Sequence, residues 1–88
     1  MAKDDLTSLP NIGKVLAARL SEVDINTPQE LMAAGTENVF LRLRAVDEGA
    51  CINELYAIEG AIRGIRWHAL DLQRKVELRA FFNMISRQ

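Results

Sequence analysis

Ile52-Asn53-Glu54-Leu55-Tyr56-Ala57-Ile58-Glu59-Gly60-Ala61-Ile62-Arg63-Gly64 is the stretch that decides the fold. Leu55, Ile58, Ile62 and Ile65 step by three, four and three, which places them on one helical face. Ala57, Gly60, Ala61 and Gly64 are small and also lie at helical spacings. A glycine inside a helix costs roughly 1 kcal/mol relative to alanine. Its retention here predicts close backbone approach to a neighbouring helix. Glu59 and Arg63 form an i,i+4 pair in the favourable order.

Reading outward toward the C-terminus, Trp67-His68-Ala69 is a connector and Asp71 starts a last helix, with Lys75 four residues on. Val76, Leu78, Phe81, Phe82 and Ile85 give that helix an apolar surface wider than one stripe needs. Toward the N-terminus, Thr36 is read as the cap of a helix whose buried stripe is Val39, Phe40, Leu43 and Val46, closed by Asp47-Glu48-Gly49. Thr27-Pro28-Gln29-Glu30 is a helix start: Thr27 caps, Pro28 takes the first helical position and Glu30 completes a capping box, with Gly35 as the stop. Ile12, Leu16, Leu20 and Val23 trace another helix, with Asn11 as its N-cap and Asp24 as its end. Before Pro10 there is room for about one helical turn, because Leu9 is pushed from helical angles. Residues 1–88 therefore read as one all-α domain, a compact bundle of about five helices.

Bulk composition narrows the function classes. Eleven Lys and Arg face twelve Asp and Glu, for a net charge of −1. A dedicated nucleic-acid binder normally carries a basic excess, since phosphate neutralisation supplies much of its affinity. DNA is therefore disfavoured as a partner on net charge. The single cysteine, Cys51, forms no internal disulfide, which suits a reducing cytoplasm. No apolar run approaches the ~20 residues that span a bilayer. The polar, acidic start Met1-Ala2-Lys3-Asp4-Asp5 is not a secretory signal. Cys51 and His68 lack a third residue to orient the histidine, and no glycine-rich oxyanion loop follows Cys51, so no enzyme is expected. Their plain reading is a small buried thiol and a connector histidine. Nothing in the chain calls for a cofactor, a metal or a small-molecule substrate.

Leu9-Pro10-Asn11-Ile12-Gly13, with Ala17 four residues on, resembles the hairpin of the helix-hairpin-helix (SAM-like) fold. The resemblance implies a turn that presents backbone N–H groups at a helix N-terminus, where they can hold a DNA phosphate. Asn11, Ile12, Gly13 and Lys14 are then the candidate contacts, with Asn11 standing where that family usually has its first glycine. The alternative is that the turn only joins and orients two helices. Tyr56 and Trp67 could stack on bases or simply belong to the core. Arg63 and Arg66, with Arg42 or Arg44, could form an anion patch or an ordinary solvated face.

A wider resemblance runs through the same hairpin, Leu16-Ala17-Ala18-Arg19-Leu20, Thr27-Pro28 and Leu31. It continues through Phe40-Leu41-Arg42-Leu43-Arg44, Asn53 to Ala61, and Arg63-Gly64-Ile65-Arg66-Trp67. In this order they resemble the C-terminal domain of TfoX (Sxy) proteins, bacterial regulators of competence for DNA uptake. The stretch from Leu55 to Trp67 is the most distinctive part. The resemblance implies a helix-hairpin-helix-like all-α fold, a role in transcriptional regulation and no catalytic residues. In that family the domain usually follows an N-terminal α/β domain, and Asp24 stands where a glycine is common. The remaining pointer to function is Phe81, Phe82, Met84 and Ile85, where the surplus of apolar side chains suggests an interface with a protein partner or a second copy, a symmetric homodimer being the simplest form. The alternative is that the bundle covers both sides of this helix.

Overall fold

The computed structural model describes residues 5–87. The expectation for Met1 to Asp4 lies outside the described residues. A 3-10 turn, Leu6–Ser8, precedes the hairpin. The five α-helices are α1 (Lys14–Glu22), α2 (Pro28–Ala34), α3 (Thr36–Val46), α4 (Ile52–Arg63) and α5 (Leu72–Ser86), with a second 3-10 turn, Trp67–Ala69, between α4 and α5. No strand occurs among the described residues. This is the all-α bundle expected.

Helix α4 is its centre. Every residue from Leu55 to Ala61 is buried, the charged Glu59 included. A helix enclosed on all sides needs small residues where neighbours come close, which accounts for Ala57, Gly60 and Ala61. Around it the core gathers Leu20, Ile25, Leu31, Val39, Phe40, Leu43 and Leu78, all essentially inaccessible. Burying side chains of this kind contributes about 1.5–3 kcal/mol each. Gly60 is the closest approach: a Cβ there would lie 2.5 Å from Asn11 Nδ2, 2.7 Å from the Ile65 carbonyl oxygen and 3.1 Å from Trp67 Cα. The neighbour that glycine admits is thus the hairpin and the connector, not the side of another helix.

Several local expectations change in the fold. Asn11 is not the α1 cap, because it adopts φ +71°. Gly13 takes the cap position, with extended backbone and no side-chain hydrogen bond, and α1 starts at Lys14. Thr27 Oγ1 does accept from the Glu30 N–H, but the Glu30 carboxylate reaches the Asn26 N–H, one residue further back than a capping box requires. Thr36 is the first residue of α3, not its cap, and its buried hydroxyl donates to Glu59 instead. Val46 is 60 % exposed and leaves the buried stripe. Ile65 lies beyond the end of α4 and is exposed. Asp71 caps α5 through the Arg74 N–H, while Lys75 turns to the Trp67 ring, its Nζ 5.9 Å from the ring centre.

Helices α1 and α4 end alike. The Ile25 N–H donates to the Leu20 carbonyl and the Asp24 N–H to Ser21, a 6→1 and 5→2 pair that closes the helix. Ile65 to Gly60 and Gly64 to Ala61 repeat the pattern. The left-handed residue is Gly64 (φ +75°) in α4 and Asp24 (φ +67°) in α1.

Candidate interaction surfaces

Three surfaces were flagged in the sequence, and the fold treats them differently. At the hairpin, left-handed backbone at Asn11 aims its amide inward. Nδ2 donates to the Ile65 carbonyl at 2.9 Å and to the Ala57 carbonyl at 3.4 Å, while Oδ1 accepts from the Trp67 N–H at 3.1 Å. Asn11 is therefore taken up in clamping the hairpin to the end of α4. What remains outward is Gly13, with open space where a Cβ would be, the exposed Lys14, and an α1 N-terminus without a side-chain cap. They border a groove of 420 Å³ lined also by Val15, Leu16, Asn53, Glu54 and Ala57. The Glu54 carboxylate there is ion-paired to Arg19, which also holds Asp47.

The candidate arginines differ in what they meet. Arg63 Nε bonds Glu59 at 2.6 Å and its Nη1 lies 3.7 Å from Asp71. Arg42 reaches the Val23 carbonyl, and Arg44 lies over the Phe82 ring. Arg66 is exposed, between the two residues whose backbone Asn11 grips, so the fold brings it to the hairpin.

Behind them is a charged centre that sequence spacing shows only in part. Arg74 grips both oxygens of Glu59 (Nε–Oε2 3.0 Å, Nη2–Oε1 3.1 Å) and also meets Glu37 and Glu77. Burial opposes ionisation of Glu59. Hydrogen bonds from Arg74, Thr36 and Arg63 outweigh it and lower the carboxyl from 4.5 to about 2. Its carboxylate also raises the Arg74 pKa, against the desolvation of that guanidinium. This centre locks α3, α4 and α5 together, and its Glu59 stays a paired carboxylate at neutral pH.

On α5 the aromatic surplus is divided. Phe81, Phe82 and Ile85 pack against the core, Phe82 meeting Phe40 with ring centres 5.9 Å apart. Met84 points away and is 56 % exposed. Leu72, absent from the sequence reading, joins it at 77 % exposed, and so does Val76, which was expected in the packing surface and is 59 % exposed. With the exposed Ala80 they form the series 72, 76, 80, 84, a step of four that was legible once the opposite face was known to be filled.

Cys51 is exposed at the N-cap of α4, not buried, whereas His68 follows the other end of that helix. No hydrogen bond joins the Cys51 thiol to the His68 imidazole, so they assemble no dyad. His68 stacks on Trp67 at 3.9 Å between ring centres, and Trp67 on the buried Tyr56 at 5.7 Å. Among the described residues no group of three His, Cys, Asp or Glu side chains is placed to hold a metal ion. Among the described residues, likewise, no helix is long and apolar enough to cross a membrane.

These features define a helix-hairpin-helix-like all-α module whose first helix is a single 3-10 turn within the described residues. The chain belongs to the TfoX C-terminal domain family, whose model matches residues 2–82. It is 37 % identical over 76 residues to Protein Sxy of Escherichia coli (strain K12), an alignment covering 86 % of this chain and 36 % of Sxy. The chain thus spans about a third of that relative. Among solved structures, an uncharacterized protein from Listeria monocytogenes in a triclinic form superposes with TM-score 0.91 at 48 % identity, covering 92 % of each chain. A protein of unknown function from the same organism, in a tetragonal form, gives TM-score 0.87 at 49 % identity, covering 89 % of this chain and 96 % of that one.

Proposed function

We propose that this chain is a non-catalytic regulatory module of the competence-regulator type, acting in the cytoplasm through protein contacts made by the outward face of α5. The observation that carries this reading is the exposed aliphatic stripe of Leu72, Val76 and Met84 on a helix whose opposite face is already packed. Contiguous apolar surface of this kind marks interaction sites, whereas single exposed side chains do not. Membership of the TfoX C-terminal family supports the regulatory part. The test is expression of the wild type and Val76→Asp in the native host, scoring DNA-uptake frequency and competence-gene transcripts. The aspartate should abolish the effect of the wild type while leaving its thermal melt unchanged. Equal effects from the two proteins would remove the proposal.

A second reading has one observation in its favour: the uncapped α1 N-terminus, with Gly13 open and Lys14 exposed beside it. Backbone N–H groups there suit a DNA phosphate. Band shifts at low salt should then appear, fall steeply with salt and weaken in Gly13→Glu and Lys14→Glu. Absence of any shift at micromolar protein would exclude it.

A further inference from the structure

The α5 stripe has charged edges of unequal sign, and these specify its occupant. Taking the stripe as the axis, the 100° turn per residue places Lys75 and Arg79 along one edge and Gln73 and Glu77 along the other. Among the described residues neither Lys75 nor Arg79 pairs with a carboxylate; Lys75 Nζ touches only the Trp67 ring and the His68 carbonyl at 3.4 Å. Glu77 on the opposite edge is held by Arg74 at 3.2 Å. The unmatched charge bordering the apolar surface is therefore positive, although the chain as a whole carries −1.

This edge disfavours a second copy paired antiparallel, and in a parallel pairing the Glu77 that it would face is already held by Arg74. A two-fold pairing that lays the stripes antiparallel brings the same patch of each chain together, setting Lys75 and Arg79 against Lys75 and Arg79. Like charges at the rim of a desolvated contact repel. We infer that the α5 stripe receives an amphipathic helix of another protein, its apolar face on Leu72, Val76, Ala80 and Met84 and its acidic side chains against Lys75 and Arg79. From residue 72 to residue 84 the stripe rises about 18 Å, room for roughly three turns of such a helix. Ala80, the smallest of the four, lets the partner come closest near the middle. The inference rests on the reading of α5 as an interaction face and names the chemistry of its partner.

Selection of phage-displayed, helix-forming 18-residue peptides on the immobilised protein tests it. Enriched peptides should carry apolar residues at i, i+4 and i+7 with Asp or Glu along one edge. Synthetic versions should bind at least tenfold tighter than copies whose acids are changed to Lys. Lys75→Glu/Arg79→Glu should invert that preference, and Val76→Asp, at an exposed position, should abolish binding with the circular-dichroism melt unchanged. Enrichment without an acidic edge, or none at all, overturns the inference. So does sedimentation showing a dimer that Val76→Asp dissociates; that result would retain α5 as the interaction face and replace its occupant by a second copy. If Val76→Asp changes neither peptide binding, nor sedimentation, nor the host phenotype, the reading of α5 itself fails.

Discussion

Two neighbouring residues of α4 hold the molecule together by different physics. Gly60 lies beneath Asn11, which ties the hairpin to the backbone of residues 57, 65 and 67 with uncharged hydrogen bonds. Glu59 gathers Thr36, Arg63 and Arg74 around a buried carboxylate. The first attachment depends on shape: it needs a missing Cβ and a left-handed asparagine. The second depends on charge, and so on proton and salt concentration. The hairpin is therefore expected to keep its geometry across pH and salt conditions that loosen α5, which would separate the two candidate surfaces.

The contrast can be broken most severely at Glu59. Glu59→Gln leaves Arg74 without its main partner in a largely buried site and should cost about 3 kcal/mol in urea unfolding. In the wild type, the folded pKa of about 2 lies below the unfolded value near 4.5, so the native state binds fewer protons. The stabilisation is complete above about pH 5 and is lost as pH falls from 4.5 toward 2, an effect of about 3 kcal/mol. Thermal melts over that range should show a shallower acid limb in Glu59→Gln. Next in size is Gly60→Ala, where the added methyl meets backbone as well as the Asn11 amide; denaturant titration should register a loss of about 2 kcal/mol. Asn11→Gly keeps the turn and removes its bonds. About 1 kcal/mol is expected, with faster amide exchange at Trp67 and no added dependence on sodium chloride, unlike the Glu59 variant. The smallest change has the opposite sign. Asp24→Gly relieves a left-handed aspartate at a helix end that in α4 uses Gly64, and calorimetry should show a gain of about 0.5–1 kcal/mol.

The helices were legible because apolar spacing records them directly, and α4 was the clearest for the reason that it is buried most fully. Asn11 was misread as a cap because only local rules apply before the fold is known; its partners lie 46 to 56 residues away. Thr36 failed for the same reason, since Glu59 is 23 residues distant. Glu59–Arg63 was visible as an i,i+4 pair, whereas Arg74, which bonds both carboxylate oxygens, comes from another helix. On α5 the surplus of apolar residues was visible, but its division was not: composition counts side chains without saying which face each takes. Phe81, Phe82 and Ile85 went inward, leaving Leu72, Val76 and Met84 outside.

The position of Trp67, the chain's only tryptophan, has an optical consequence. Its amide is held by the hairpin, one ring neighbour is the buried phenol of α4 and another the ammonium of α5. A single indole emission band thus samples three separate attachments at once. Coincidence of its transition with the loss of helical ellipticity would report one cooperative event, and an earlier shift in emission would time the release of the connector without any attached dye.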